Sequence, residues 1–308
     1  MDPKIAGRGP APPTPVPPLS VDDLQACGAG LQPASELCGG LVGVIAIPFV
    51  KAHGARNDFL LTWAADAPAG GRAAMARAIC DRHAGVGADG WILVTPADGA
   101  SDGSIELYNS DGSAAELSGN GTRCAAAFLI RHGLRAEVVG IRTGAGLKTL
   151  RLLKRDHLAF EFEMEMGVPE IRAARFDLPL STGARDVTLV WVGNPQCAVP
   201  VEDFDFDWPS MGAEIESHGH FPNRTNVSFV KRAGEHSIEV RFYERGAGQT
   251  MSSGTGATGA VAAAMARGMA APPMEVRTPA GPLLACTKDN VVLLTGPADI
   301  VAEGLFLA

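Results

Sequence analysis

Hydrophobic and polar residues alternate in several short segments of this chain, and the alternation predicts more strand than helix. It is clearest in Leu158–Met164 and Asn226–Val230, since successive side chains of a strand point to opposite faces of a sheet. The apolar segment 45–50 predicts the first core strand. Two Ala-rich apolar segments predict helices, because Ser-Gly-x-Gly precedes each of them and a glycine, Gly133 or Gly268, follows it.

An internal repeat relates these two helices. A shift of 135 positions places residues 108–146 on residues 243–281 with 12 identical pairs, several times the number that composition alone produces. Each copy predicts a strand, a Gly-rich turn, an Ala-rich helix and a strand that contains Arg-Thr. We therefore predict an α+β fold of two pseudo-symmetric lobes, each a curved mixed sheet or barrel wrapped around a central helix.

The duplication also suggests domain boundaries. Residues 46–160 are predicted to form the N-terminal lobe, with a C-terminal strand at about 296–308 as a candidate to complete it, and residues 161–295 the C-terminal lobe. The first twenty residues contain seven prolines, so residues 1–45 are predicted to be a disordered, polyproline-like leader outside the fold. An ordered N-terminal arm is the alternative.

Composition narrows the class of partner. The chain has 34 acidic and 26 basic residues and a net charge of −8, which argues against nucleic-acid binding. The longest apolar run, residues 41–50, is about half of what a bilayer span needs, so no membrane segment is predicted. The six cysteines have no CxxC spacing and the N-terminus has no signal-peptide pattern, which together favour a reducing cytoplasm.

Ser118 and Ser253 occupy equivalent positions in the two copies, each at the first turn of its predicted helix. A pseudo-twofold arrangement places such positions face to face across the cleft between the lobes. Helix N-termini favour anions through their unpaired N–H groups and dipole. A carboxylate held between the two helices would therefore have one serine on each side of its neighbouring carbon. The alternative is that both serines are ordinary N-caps.

Longer motifs complete the pattern. They are Tyr108–Ser113 with Gly119–Cys124, Tyr243–Gly248 with Gly254–Gly256, His53-Gly54 with Asn57–Phe59, Gly85–Gly90, Gly193–Pro195 and Arg224–Val227. Through these motifs the chain resembles diaminopimelate epimerase, the cofactor-independent amino-acid epimerase of lysine biosynthesis, over residues 46–308.

The resemblance implies a two-base mechanism, in which one group removes the α-proton of an amino diacid and a group on the opposite face donates one. It implies no cofactor and a homodimer. It places the reacting carboxylate on Gly119, Asn120, Gly254 and Thr255. It assigns the distal, non-reacting amino-acid end to Asn57, Asn109, Asn194, Asn226, Glu244 and Arg245. This set suits its ligand, because an ammonium needs carboxylate and amide oxygens and a carboxylate needs a guanidinium. A metal site is not predicted, since His218 and His220 lack carboxylate or thiol neighbours in the sequence.

The chain departs from the family at the two acid/base positions, where Ser118 and Ser253 stand in place of cysteines. A serine hydroxyl has a pKa on the order of five units above that of a thiol, which makes an alkoxide base costlier by about 7 kcal/mol. That cost corresponds to roughly five orders of magnitude in rate. The position after Asn194-Pro195, usually histidine in the family, is Gln196, so no helper base is evident.

Other differences bear on the origin of the two serines. Arg56, Gln196, Gln249 and Ser252 also depart from the family pattern, which favours a natural variant over an engineered double replacement. Three functions stay open. The first is an epimerase of low activity with Ser118 and Ser253 at the acid/base positions. The second is a proton-transfer isomerase or lyase whose substrate has a more acidic C–H bond. The third is an amino-acid binding protein without catalysis.

Overall fold

The computed structural model describes residues 45–308. The predicted leader lies outside these residues except for Ile45, which exchanges two backbone hydrogen bonds of 2.8 and 2.9 Å with Ala308. The strands are β1 (Ala46–Gly54), β2 (Asn57–Trp63), β3 (Gly90–Pro96), β4 (Gly103–Asn109), β5 (Ala114–Ala115), β6 (Val138–Thr143), β7 (Gly146–Asp156), β8 (Ala159–Gly167), β9 (Glu170–Leu178), β10 (Arg185–Trp191), β11 (Pro195–Val201), β12 (Asn226–Gly234), β13 (Ser237–Glu244), β14 (Gly248–Thr250), β15 (Met274–Thr278), β16 (Gly281–Lys288) and β17 (Val291–Leu307). The helices are α1 (Arg72–Cys80), α2 (Gly119–Arg131), α3 (Trp208–Glu216) and α4 (Gly254–Ala266).

Eight strands close into a barrel around α2. Their order is β1-β2-β3-β4-β6-β7-β8-β17, and β17 pairs back to β1. The pairs β2–β3 and β4–β6 are parallel. Every residue of α2 from Gly119 to Ile130 is buried, because the barrel surrounds the helix on all sides. This enclosure explains why most side chains of the helix are apolar or small on all of its faces.

A second curved sheet surrounds α4. Its order is β9-β10-β11-β12-β13-β15-β16-β17, and its end strands β9 and β17 are not paired with each other in the described part of the chain. Residues Gly254 to Ala264 of α4 are all buried, and their small side chains let the strands approach the helix closely. The predicted α+β fold, with two similar lobes around central helices, is confirmed.

The long strand β17 belongs to both lobes. Its residues 291–295 pair with β16, residues 292–299 pair with β8, and residues 299–307 pair with β1. The predicted lobe boundary at residue 160 falls inside β8, which pairs with β7 on its other side. The first barrel therefore extends to Gly167, because the hairpin between β7 and β8 keeps this strand in the sheet that precedes it.

Each lobe also carries a helix on its outer face. Helix α1 packs on β3 and β4, where Trp91 is fully buried, and α3 packs on β12 and β13, where Phe229 is fully buried. None of the four helices in residues 45–308 is long and apolar enough to cross a bilayer. The two inner helices, α2 and α4, are the elements that position the candidate site.

Candidate active site

The N-termini of α2 and α4 touch each other between the two lobes. A Cβ atom built on Gly119 would lie 3.0 Å from Gly254 Cα, and one built on Gly254 would lie 2.8 Å from Gly119 Cα. Glycine is therefore the residue that permits this contact. The first turns of two helices, with their free N–H groups and dipoles, lie side by side and make one site for an anion.

Ser118 and Ser253 are the N-caps of these two helices. Ser118 Oγ accepts the N–H of Gly121 and Ser253 Oγ accepts the N–H of Gly256, each at 3.1 Å. Both residues have extended backbone conformations, as N-caps do. The capping role does not remove them from the site, because both also line the cavity between the lobes.

The cavity has a volume of about 530 Å³, enough for a small metabolite. Eleven of the twelve residues singled out in the sequence line it, namely Asn57, Asn109, Ser118, Gly119, Asn194, Asn226, Glu244, Arg245, Ser253, Gly254 and Thr255. Residues from both copies of the repeat thus converge on one cavity.

Asn120 is the exception, since its side chain is fully buried outside the cavity. Its Nδ2 donates to Asn57 Oδ1 at 3.2 Å and to the carbonyl of Ser252 at 3.3 Å, and its Oδ1 accepts from Arg123 Nη2. The side chain therefore ties the first turn of α2 to the segment before Ser253. Only the backbone N–H of Asn120, in that first turn, remains as a candidate contact for a ligand.

Glu244 provides Ser253 with the proton acceptor that sequence reasoning did not find. Ser253 Oγ donates to Glu244 Oε2 at 2.8 Å, and Thr250 Oγ1 donates to Glu244 Oε1 at 2.6 Å. The surrounding protein desolvates this carboxyl group and raises its pKa above the ordinary 4.5, although the two hydroxyl hydrogen bonds act in the opposite direction. The sequence feature that could have indicated this contact is the Gly-rich turn Gly246–Gly248. It folds β14 back onto β13 and brings Thr250 and Ser253 to the Glu244 carboxylate.

The two halves of the site differ chemically. The repeat aligns Glu244 with Asn109, whose Nδ2 donates to Ser113 Oγ at 3.0 Å. No carboxylate accepts a hydrogen bond from Ser118 within residues 45–308. Gln196 is buried and donates to Asn194 Oδ1 at 2.7 Å, so the position that is usually histidine holds an asparagine in place and adds no base.

Neighbouring groups orient the amide side chains of the cavity. Asn57 Nδ2 donates to Asp89 Oδ2 at 2.7 Å, and Asn226 Nδ2 donates to the carbonyl of Pro195 at 3.1 Å. Asn226 Oδ1 accepts the backbone N–H of Arg245 at 3.0 Å. These hydrogen bonds hold the amide groups of Asn57 and Asn226 in fixed orientations toward the cavity.

Four arginines line the cavity, and their partners differ. Arg82 is paired with Asp58 and Asp89, and Arg224 with Glu216. Arg245 Nη2 lies 3.1 Å from Glu116 Oε2. Arg56, which has a positive φ of 60° in the turn between β1 and β2, forms no ion pair within the described residues. No group of three His, Cys, Asp or Glu side chains in residues 45–308 is arranged to hold a metal ion.

Comparison with known proteins agrees with this geometry. The family model for diaminopimelate epimerase matches residues 49–171 and 188–301. The chain belongs to the diaminopimelate epimerase family. A diaminopimelate epimerase from Pelotomaculum thermopropionicum is 36% identical over 278 residues, covering 83% of this chain and 97% of that protein. A diaminopimelate epimerase from Synechocystis sp. is 36% identical over 282 residues, covering 84% and 99%.

The family's fold is shared with more distant proteins. A hydroxyproline epimerase from Agrobacterium vitis has a TM-score of 0.67 at 16% identity, covering 85% of this chain and 93% of that one. A methylitaconate-delta-isomerase has a TM-score of 0.60 at 15% identity, covering 86% and 96%. The two-lobed architecture therefore extends well beyond the diaminopimelate epimerase family.

Proposed function

We propose that this protein is a cofactor-independent isomerase that interconverts L,L- and meso-diaminopimelate by two-base proton transfer, in the cytoplasm and as a step of lysine biosynthesis. The observation that carries the proposal is the contact between two helix N-termini flanked by Ser118 and Ser253, the second of which is bonded to Glu244. We further propose that the protein acts as a homodimer, as the family resemblance implies.

The reacting carboxylate binds the N–H groups of the two first turns, which stabilise the negative charge that develops when the α-proton leaves. Ser253 Oγ takes the α-proton while its own proton passes to Glu244 Oε2, so no free alkoxide forms on this side. Ser118 Oγ–H then delivers a proton to the opposite face of the α-carbon. Solvent returns a proton to Ser118 Oγ and takes one from Glu244, so both groups regain their starting protonation states. In the reverse direction Ser118 is the base, by microscopic reversibility.

The coupling to Glu244 offsets part of the cost of a serine base. A carboxylate is a weaker base than a thiolate, because a carboxylic acid is more acidic than a thiol. The coupling therefore does not restore the full base strength of a cysteine. We therefore expect turnover well below that of a cysteine-based relative. The α-proton that faces Ser253 is the one expected to exchange faster, because only this serine has a carboxylate behind it among the described residues.

The proposal is tested by ¹H NMR in D₂O with purified protein and either L,L- or meso-diaminopimelate. We expect the α-proton signal to disappear and the other isomer to appear at a rate above the protein-free blank and above a Ser118→Ala/Ser253→Ala control. Absence of both changes at high enzyme concentration would contradict the proposed reaction and leave an amino-acid binding protein.

A one-base isomerase is a second candidate. It is favoured because, within residues 45–308, Ser253 donates a hydrogen bond to a carboxylate and Ser118 does not. Such an enzyme moves a proton on one face of a substrate whose C–H bond is more acidic. In the same NMR experiment it would exchange the α-proton of one isomer without producing the other. That outcome would replace the epimerase proposal with this candidate.

The contact between the helices leads to a prediction for Gly254→Ala. The added Cβ would lie 2.8 Å from Gly119 Cα, so the two N-termini must move apart and the carboxylate is held less well. We expect kcat/KM for diaminopimelate to fall by about 10- to 100-fold, as ångström-scale displacements in active sites do.

The matched control for this variant is Gly140→Ala on β6, where the nearest neighbour of an added Cβ is 3.6 Å away. This control should retain wild-type kcat/KM. Equal activity of both variants would show that the contact between α2 and α4 does not position the substrate.

A further inference from the structure

Arg123 lies in α2, one turn after the N-terminus of the helix, and its side chain is fully buried outside the cavity. Its Nε donates to the carbonyl of Pro297 on β17 at 3.1 Å, and its Nη2 donates to Asn120 Oδ1. Its Nη1 has no hydrogen-bond partner within residues 45–308. The guanidinium fits because residue 296 is a glycine, since a Cβ atom on Gly296 would lie 3.0 Å from Arg123 Cζ and Nη2. The fold thus keeps a cation directly behind the first turn of α2.

This cation has no negative partner in the described part of the chain. Arg123 and Glu216 are the only charged residues that are buried within residues 45–308. Glu216 pairs with Arg224 at 2.6 Å, whereas Arg123 forms no ion pair there. Asp58 and Asp299, on two strands that pack against α2, are partly exposed and lie against other basic side chains. Arg123 is therefore a buried positive charge that no carboxylate of these residues neutralises.

The repeat shows that the charge belongs to one half of the site. The position equivalent to Arg123 in α4 is Thr258, which is also fully buried and donates to the carbonyl of Gly254 at 2.8 Å. The half of the site that contains Ser253 thus has the carboxylate of Glu244 and no buried arginine. The half that contains Ser118 has the buried arginine and, among the described residues, no carboxylate that accepts from this serine.

A buried charge without a partner costs stability, and an apolar side chain in its place would not have this cost. The cost has a use if negative charge is brought to this place by a ligand. Side chains of a helix point toward its N-terminus, so the guanidinium of Arg123 adds to the positive end of the α2 dipole. The proposed reaction places a carboxylate at this end and adds further negative charge to it when the α-proton leaves.

We propose that Arg123 is a positioning residue whose buried positive charge, acting through Asn120 and the first turn of α2, stabilises the negative charge that develops on the reacting carboxylate. This inference rests on the proposed function, because it requires that proton transfer. The hydrogen bond to Asn120 Oδ1 fixes the amide so that its Nδ2 donates to the carbonyl of Ser252. The backbone N–H of Asn120 is thereby held toward the ligand. In the protein interior the charge is screened far less than at the surface.

The test replaces Arg123 by a cation that a moderate rise in pH can neutralise. Burial lowers the pKa of Arg123 only to about 10, whereas a lysine in the same place starts from about 10.4 and is lowered by up to several units. We expect kcat of Arg123→Lys to be within about threefold of the wild type near pH 6. The ratio of the two kcat values should then fall by about 10- to 100-fold toward pH 10, as the introduced lysine loses its proton. Cys124, the ionisable neighbour whose charge acts on Arg123, has a pKa raised to about 12 by burial and stays neutral over this range.

A purely structural role predicts the opposite dependence on pH. Burial favours the neutral form of a lysine, so the folded state binds fewer protons than the unfolded state and becomes more stable as the pH rises. A loss of kcat at high pH in a protein that has not lost stability therefore reports on charge. Thermal unfolding of Arg123→Lys at each pH, beside the measurement of α-proton exchange in diaminopimelate, separates the two effects.

A neutral variant and a matched control complete the experiment. Arg123→Met carries no charge at any pH, so its kcat should be reduced by about 10- to 100-fold throughout. Its KM should change less, because the charge at the reacting end increases only after substrate has bound. The control is Arg267→Lys, which makes the same replacement at an almost fully buried arginine that directly follows α4, pairs with Asp186 and does not line the cavity. Its kcat ratio to the wild type should not depend on pH.

Two results would overturn the inference alone. One is wild-type kcat in folded Arg123→Met, which also decides the question if Arg123→Lys does not fold. The other is an equal, pH-independent loss of kcat in both variants of Arg123, which would mean that the side chain only supports the fold. Absence of α-proton exchange in the wild-type protein would instead overturn the proposed function, and this inference with it. Circular dichroism of each variant establishes that rates are compared between folded proteins.

Discussion

Replacement of both Ser118 and Ser253 by cysteine is expected to raise the rate of α-proton exchange in diaminopimelate by between about 100-fold and about 100,000-fold. The upper limit is the full difference in base strength between thiolate and alkoxide, and the hydrogen bond from Ser253 to Glu244 reduces it. Both positions cap helices, and a helix N-terminus lowers the pKa of a thiol further. The measurement is the loss of the α-proton signal in D₂O, compared at equal protein concentration.

The control for this experiment is Ser252→Cys. Ser252 is adjacent to Ser253, but it is fully buried and does not line the cavity, and its hydroxyl has no hydrogen-bond partner within residues 45–308. A thiol at this position should leave the exchange rate unchanged. If the double cysteine variant binds diaminopimelate yet exchanges no faster than the wild type, base strength does not limit the reaction and the assigned roles of Ser118 and Ser253 are wrong.

Glu244→Gln is expected to lower the exchange rate by about 100- to 10,000-fold, the usual contribution of general acid–base catalysis. The amide that replaces the carboxylate cannot take the proton of Ser253. The matched control is Glu239→Gln on the same strand, whose carboxylate pairs with Lys231 and Arg241 outside the cavity. Similar losses in both variants would mean that the effect comes from β13 and not from proton transfer.

The pH dependence of kcat distinguishes a role of Glu244 in proton transfer from a role in substrate binding. Glu244 acts as acceptor only when ionised, and its pKa is raised above 4.5. As the pH falls through this raised pKa, the carboxylate is protonated and kcat falls. Thr250→Val removes a hydrogen bond that lowers the pKa, so the acid limb of the kcat profile should move to higher pH. An acid limb that stays in place would show that another group controls it.

The overall architecture could be predicted from the sequence because the sequence contains two copies of the same strand–helix–strand unit. The repeat places Ser118 and Ser253 in register, and a pseudo-twofold fold brings such positions together across its axis. Alternating hydrophobicity identified the strand around Phe160 and Phe162, whose side chains are buried in the first barrel. These features depend on local pattern and on symmetry, which a single sequence contains.

Other features depend on contacts between distant segments, and no local pattern contains them. The hydrogen bond from Ser253 to Glu244 arises because the short strand β14 turns back on β13. Asn120 lies next to Gly119 in sequence, yet its side chain points away from the cavity toward Asn57 and Arg123. The ion pair between Glu116 and Arg245 joins residues from different copies of the repeat. Each of these depends on the direction of a side chain after packing, whereas the sequence specifies only its position along the chain.

The position of β17 has a consequence for the order of folding. The barrel around α2 needs this strand between β8 and β1, and Leu307 pairs with Ala46 at the opposite end of the described chain. The ribosome therefore releases almost the whole N-terminal lobe before the strand that closes it has been synthesised. Pairing across such a separation has a high contact order, which slows folding. Closure of the first barrel thus has to wait for β17, and until then the edges of β1 and β8 are open to pairing with other chains.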